Sequence, residues 1–300
     1  MRVRLGDVCD IKAGGTPSRA IPEYWHNGEI PWVKISDFQN KSIRCTQEYI
    51  TEEGLKNSSA KVFPKGTILY SIFATLGEVS ILDIDAATNQ AIAGLQIIND
   101  NLARDYLYYF LLSKKQHVIE IGRGVAQNNI NLNILRNIEI ELPDLTEQTY
   151  VVSKIGAIES LIEKRKQQLE KLDLLVKSQF IAMFGDSKTN SKGWQVKLGS
   201  DLFVFSSGKF LNENNRQKTG VPVYGGNGIV WYTDVPLIYG PTIVIGRVGA
   251  YCGNIRLVQE PAWITDNAIY IKKLKENVFN LIYLYYLMQS MNFKLYAHFS

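Results

Sequence analysis

Over the first 145 positions, short apolar runs alternate with polar ones. Residues 8–12, 30–37, 66–72 and 78–82 are rich in β-branched and aromatic side chains, which predicts strands. Residues 138–143 alternate apolar and charged positions until Pro143 stops them, a fifth strand. Between the first two runs lies the small-residue segment 13–19. Gly14-Gly15 permits backbone angles closed to other residues, and Pro17 enforces an extended approach. From 103 to 121 the period becomes helical, and Tyr106, Tyr109 and Phe110 share a face that reads as core. Residues 122–131 form a polar glycine loop.

The texture changes again at 146–184. Val151, Ile155, Ile158, Ile162, Leu169, Leu172, Val176 and Met183 step by threes and fours, with Arg165 and Gln179 in register. Such a ladder over more than four heptads is a coiled-coil seam. No glycine falls between Gly156 and Gly185, so the helix spans about 40 Å or more at roughly 1.5 Å per residue. Ile155, Ile158, Ile162, Leu169, Leu172 and Val176 are therefore expected to pack against a second helix. Arg165 would fix the register.

The pattern then repeats. Tyr106-Leu107-Tyr108-Tyr109 returns as Tyr283-Leu284-Tyr285-Tyr286, and Thr88-Asn89-Gln90-Ala91-Ile92 as Thr265-Asp266-Asn267-Ala268-Ile269, both at an offset of 177. Val3-Arg4-Leu5-Gly6 returns as Val196-Lys197-Leu198-Gly199, and Gly15 matches Gly208, at an offset of 193. Solenoid units run to about 20–50 residues, so this is a duplicated domain. The expected organisation is a first domain at 1–145, a spacer helix at 146–185 and a second domain at 186–300. Counterparts of residues 123–184 are missing from the second copy, which reads as about 60 residues short of a full duplication.

Composition narrows the chemistry. Of 300 residues, 46% are hydrophobic and 21% charged, ordinary for a folded protein. No apolar run reaches the roughly 18 residues of a membrane span, and no signal peptide opens the chain. Cys9, Cys45 and Cys252 lack metal-ligand spacing and read as reduced thiols of a cytoplasmic protein. A net charge of +4 permits nucleic-acid binding without requiring it. Phosphate-binding, dinucleotide-binding and hydrolase motifs are all lacking, and His26, His117 and His298 are scattered. A chain without a catalytic constellation points to a binding protein.

The combination of motifs resembles the specificity subunits of type I restriction-modification systems. It is carried by Leu5-Gly6-Asp7-Val8, Gly14-Gly15-Thr16-Pro17-Ser18, Ile30-Pro31-Trp32-Val33-Lys34-Ile35-Ser36-Asp37, the 122–131 loop, and Glu147-Gln148 at the helix start. In the second copy it is carried by the segments 221–229 and 245–253. The resemblance implies an α+β chain with two related target recognition domains separated by a long coiled-coil-forming helix. It implies a non-catalytic subunit that reads one half of a bipartite double-stranded DNA target with each domain. It further implies two methyltransferase subunits docked on the helices and restriction subunits in the same assembly. The chain itself would bind no cofactor; the partners would use S-adenosylmethionine, ATP and Mg. An unpaired helix would also permit self-association. Two other readings stand beside this one: the recognition portion of a bifunctional restriction–methylation enzyme, and a helical scaffold.

Specific readout uses Arg or Lys on guanine and Asn or Gln on adenine, while glycine loops and basic side chains hold phosphates. In the first copy the candidates are Thr16, Ser18, Arg19, Lys34, Asp37, Arg123, Gln127 and Asn129. In the second they are Lys209, Asn212, Arg216, Asn227, Arg247 and Tyr251. The alternatives are a solvated turn for Thr16, Ser18 and Arg19, exposed strand ends for Lys34 and Asp37, a loop that structures the junction to the helix for Arg123, Gln127 and Asn129, and a packed ring for Tyr251.

Overall fold

The computed structural model describes residues 1–123, 129–275 and 280–291. The chain divides into two compact units, Met1–Glu163 and Lys164–Ser300.

In the first unit, β1 (Arg2–Arg4) leads into the short helix α1 (Leu5–Val8) and then β2 (Cys9–Ala13). Next come β3 (Ile30–Val33), β4 (Ser42–Ile43), β5 (Glu48–Ile50), helix α2 (Glu52–Lys56) and β6 (Val62–Phe63). β7 (Ile68–Ser71), β8 (Val79–Leu82), β9 (Ala86–Thr88) and β10 (Ile92–Ile97) follow. Helices α3 (Arg104–Ser113), α4 (Lys115–Arg123) and α5 (Leu132–Arg136), strand β11 (Glu139–Glu141) and the long helix α6 (Leu145–Phe184) complete the series. One sheet has the order β2-β10-β7-β8-β4 and a second β5-β3-β9-β6; β1 pairs with β11. The larger core gathers Leu5, Ile11, Ile68, Tyr70, Leu95, Leu107, Leu111 and Ile140.

The second unit repeats the plan. Helix α7 (Gly199–Leu202) leads into β12 (Phe203–Ser207), β13 (Val221–Gly225), β14 (Gly228–Thr233), β15 (Thr242–Gly246), β16 (Ile255–Val258), β17 (Trp263–Ile264) and β18 (Ala268–Leu274), closed by helix α8 (Leu281–Ser290). The order β12-β18-β15-β16 reproduces β2-β10-β7-β8, and β14-β13-β17 reproduces β5-β3-β9. One parallel pair recurs as well, β3 with β9 and β13 with β17.

The hydrogen-bond register corrects the sequence alignment by one residue. Gly14 N–H donates to Ile92 O at 3.0 Å, and Gly208 N–H to Ala268 O at 3.0 Å. Gly15 N–H donates to Thr88 O at 2.8 Å, and Lys209 N–H to Ile264 O at 2.8 Å. Gly14 is thus the counterpart of Gly208, and Gly15 that of Lys209. Glycine is needed at the first of these positions because a Cβ would lie 2.3 Å from Thr88 O at Gly14 and 2.1 Å from Thr265 O at Gly208.

Several predicted boundaries move. Val8 ends α1 instead of opening a strand. The 30–37 strand stops at Val33, and Ile35–Asp37 forms a 3-10 turn. The single helix expected over 103–121 breaks at Lys114 into α3 and α4. Within the tyrosine runs, the fully packed positions are Leu107, Tyr108 and Leu111 in α3 and Leu284 and Met288 in α8; Tyr106, Tyr109, Tyr283, Tyr285 and Tyr286 are half-buried. Asn131, assigned to a loop, caps α5 by accepting from Ile134 N–H at 2.9 Å.

Helix α6 starts one residue before the predicted Thr146. Asp144 accepts from Glu147 N–H at 2.8 Å and caps it. The conspicuous side chain is Gln148, fully buried. Its Oε1 accepts from Ala103 N–H at 2.8 Å, and its Nε2 donates to Asn101 O at 2.7 Å and Pro143 O at 2.8 Å. Three backbone groups of two loops are thereby satisfied by one amide, which anchors the helix start to the first unit. Along α6, Ile155 is half-buried, whereas Ile158, Ile162, Leu169, Leu172 and Val176 are exposed. Phe180 and Phe184 instead pack on Tyr283 of α8, with ring centroids 5.6 and 4.9 Å apart.

Candidate nucleic-acid interface

The loop after β2 carries Thr16, Ser18 and Arg19, and the structure holds it by its neighbours. Trp32 Nε1 donates to Gly15 O at 3.0 Å from inside the core, and Trp25 Nε1 donates to Ser18 O at 3.1 Å. Trp25 and Trp32 meet edge to face at 5.0 Å. On this platform lies Arg19, its guanidinium carbon 3.5 Å from the Trp25 ring centroid and 5.0 Å from that of Trp32. Glu48 on β5 accepts from both Arg19 and Lys34. Arg19, Lys34 and Glu48 thus form one charged cluster. Burial disfavours the Glu48 carboxylate, but the hydrogen bonds from Lys34 and Arg19 outweigh it and hold the carboxyl below its ordinary range.

Asp37 is placed differently from its neighbours in sequence. Its carboxylate accepts from Lys34 N–H at 2.8 Å and closes the 3-10 turn. Thr16 donates to Gln90 Oε1 and makes no contact of its own with the charged cluster among the hydrogen bonds of the described residues. Asn129 lines the same cleft as Gln90, its backbone bridged to Phe73. The side chain of Arg123, and Gln127 altogether, lie outside the described residues.

The second unit builds a similar platform from different positions. Arg216 lies 3.9 Å over the Trp231 ring and donates to Glu213 Oε1 at 3.1 Å. Its Nε is buried without a partner among the described residues. Asn212 caps the turn before it, accepting from Asn214 N–H at 3.1 Å. Lys209 is exposed, and its carbonyl accepts from Trp263 Nε1 at 2.9 Å. A further tip forms where the 225–228 turn meets the loop after β15. A Cβ on Gly246 would lie 2.3 Å from Tyr251 O, and one on Gly226 3.7 Å from Tyr251 Cβ. This close packing brings Asn227, Arg247 and Tyr251, all exposed, onto adjoining loops. Arg256 steadies the tip, donating to Asn227 O at 2.6 Å.

The two loops after β7 and β15 are counterparts. Gly77 N–H donates to Ser71 O at 3.1 Å, and Gly253 N–H to Gly246 O at 2.9 Å. Both glycines sit in the left-handed region, at φ 81° and 80°, where glycine returns the chain without strain. Phe73 projects from the first loop and Tyr251 from the second, each 47% exposed.

Sequence reasoning missed Trp25, Glu48, Phe73, Gln90 and Trp231. Trp25, in a turn of polar residues, offered a signal; Glu48 and Gln90 offered none, since only the fold brings them to the loop. Cys9 is buried and its thiol is pushed up to about 12, an inert core group. Among the described residues, no cluster of His, Cys, Asp or Glu could hold a metal, and no helix is long and apolar enough to cross a membrane.

Comparison with known proteins gives this arrangement its context. The chain is 32% identical over 225 residues to the MjaIX specificity subunit of Methanocaldococcus jannaschii, covering 68% of this chain and 52% of that one. It is 24% identical to the EcoprrI specificity subunit of Escherichia coli, over 98% of this chain and 77% of that one. The chain thus spans about half the length of the first relative. In fold it is similar to the crystal structure of a type I restriction-modification S subunit from M. genitalium, with TM-score 0.54, 19% identity, 99% of this chain and 78% of that one covered. Residues 1–172, more than half of the chain, match the pattern of the type I restriction modification DNA specificity domain. The chain belongs to that family.

Proposed function

We propose that this chain is the non-catalytic DNA-reading subunit of a type I restriction-modification complex. Each unit contacts one half of a split target. The observation that carries this reading is the recurrence of one device on one scaffold. Arg19 on Trp25 and Arg216 on Trp231 each present a guanidinium fixed by an aromatic face and a carboxylate, beside a glycine-anchored loop. An immobilised guanidinium loses less entropy on pairing with a guanine edge or a phosphate.

Helix α6 supplies a stiff spacer. Its 40 residues span about 60 Å, enough for half-sites about one helical turn, roughly 34 Å, apart. Its exposed apolar positions give two methyltransferase subunits, or a second copy of the chain, a surface to pack on. The chemistry would belong to partners: methyl transfer with S-adenosylmethionine, and restriction subunits using ATP and Mg, in the cytoplasm.

The test is domain replacement within the assembled methyltransferase. Exchange of residues 1–145 for those of another family member should alter one half of the methylated motif and leave the other unchanged. Methylome sequencing reads the outcome directly. A change in both halves, or no bipartite motif from an intact complex, would overturn the reading.

A further inference from the structure

The first unit carries an open cleft of about 290 Å3, lined by Ile72, Phe73, Gln90, Asn129, Ile130 and Asn131. Its lining has a particular chemistry: three apolar side chains, three amides and no charge. The backbone fixes its parts. Ile130 N–H donates to Ile72 O at 3.0 Å and Ile72 N–H to Ala91 O at 2.8 Å, and Phe73 is bridged to Asn129. Ala74 adopts φ 63°, a left-handed conformation costly for a residue with a side chain. It turns the loop so that Phe73 is left exposed while Ile72 stays buried.

The amides are not equivalent. Gln90 Oε1 already accepts from Thr16, and Asn131 Oδ1 caps α5. Among the described residues, the Asn129 side chain has neither its donor nor its acceptor engaged in a hydrogen bond. An amide offering one donor and one acceptor matches adenine N7 and N6, and an aromatic face matches the thymine methyl group. Guanine is read by Arg or Lys, and the cleft has neither.

We infer that this cleft reads an A·T base pair in the major groove, with Asn129 pairing to adenine and Phe73 packing on the thymine methyl. The inference rests on the proposed DNA-reading function. The corresponding loop of the second unit carries Arg247 and Tyr251, so the second half-site is read with different chemistry there.

The experiment uses the chain assembled with its methyltransferase subunits. Methylome sequencing first defines the motif, and domain replacement assigns the half-site of the first unit. Duplexes carrying that motif are then prepared with each thymine of the half-site replaced by deoxyuridine, which removes only the methyl group. One replacement should weaken binding about fourfold, as expected for one buried methyl. Phe73→Ala should bind thymine and deoxyuridine duplexes equally at that position. Asn129→Ala should relax the methylated motif at the same base pair. Phe73 is exposed, so its variant should fold normally, and an unchanged melting temperature checks this. A half-site without an A·T pair, a flat deoxyuridine scan, or a methyl effect that persists in Phe73→Ala would overturn the inference while leaving DNA reading intact. Failure of the assembled complex to discriminate any duplex would instead sink the function on which it rests.

Discussion

The guanidinium of Arg19 lies over the Trp25 ring, its carbon 3.5 Å from the ring centroid, and shares Glu48 with Lys34. Its orientation is thus set before any ligand arrives. Lysine in its place keeps the charge but neither stacks nor presents a planar fork. Arg19→Lys should weaken binding to the cognate duplex about tenfold or more, the scale of one bidentate base contact. Binding to scrambled duplex should scarcely change, since a phosphate needs only the charge. Competition titrations at fixed salt measure both. Equal losses on the two duplexes would show Arg19 to be a phosphate contact only.

Glu48 makes a pH-dependent contribution. Its carboxyl is held below the unfolded value of about 4.3. The folded state therefore binds the proton less readily than the unfolded chain. The stabilisation is fully present above that unfolded value and is lost as pH falls through the folded one. Half-exposed partners limit it to about 1 kcal/mol. Glu48→Gln should melt below the wild type at pH 7 and converge with it in acid. Parallel melting curves across the whole pH range would rule out the linkage.

Gln148 couples the first unit to the start of α6. Gln148→Ala would leave Ala103 N–H, Asn101 O and Pro143 O without their partner in a buried site. The cost should be about 2–4 kcal/mol, since each orphaned group costs roughly 1–3 kcal/mol and some will find water. Urea unfolding followed through Trp25 and Trp32 fluorescence would report it. A loss under about 0.5 kcal/mol, within the range of an ordinary surface change, would refute the anchoring role.

The periodicity of 146–184 makes this helix plain in the sequence, because an apolar seam repeating every 3.5 residues or so is the mark of a helix built to pair with another. The duplication is equally plain, since Tyr-Leu-Tyr-Tyr at matching positions rarely recurs by chance. Sites are harder. Arg19 and Arg216 stand out as basic residues in polar loops, but their tryptophans come from segments whose approach only sheet pairing determines. Asp37 looks like a base reader from its place after a strand; its carboxylate is used by its own turn. The one-residue shift of Gly15 onto Lys209 shows the general difficulty. Hydrogen-bond register depends on backbone geometry, and a glycine match in sequence can miss it by one.

Ile158, Leu169 and Leu172 are 58%, 64% and 55% exposed. Glutamate at Ile158 and Leu172 should cost the isolated chain little. It should abolish any association through the seam. Sedimentation velocity over about a hundredfold concentration range should show reversible self-association of the wild type and a monomer for the double variant. A wild type that stays monomeric throughout would exclude this surface as a self-pairing site.

The indole that latches the first loop of each unit stands on a different strand in each. Trp32 sits on β3 with Ala87 beside it on β9, and the corresponding pair on β13 and β17 is Val223 beside Trp263. Large and small residues have changed places across a parallel pair, while the bond to the loop carbonyl is kept. A recognition loop moved alone from one unit to the other would arrive facing the wrong partner strand and lose its fastening. New specificities in this scaffold should therefore travel as whole units, with tryptophan and loop inherited together.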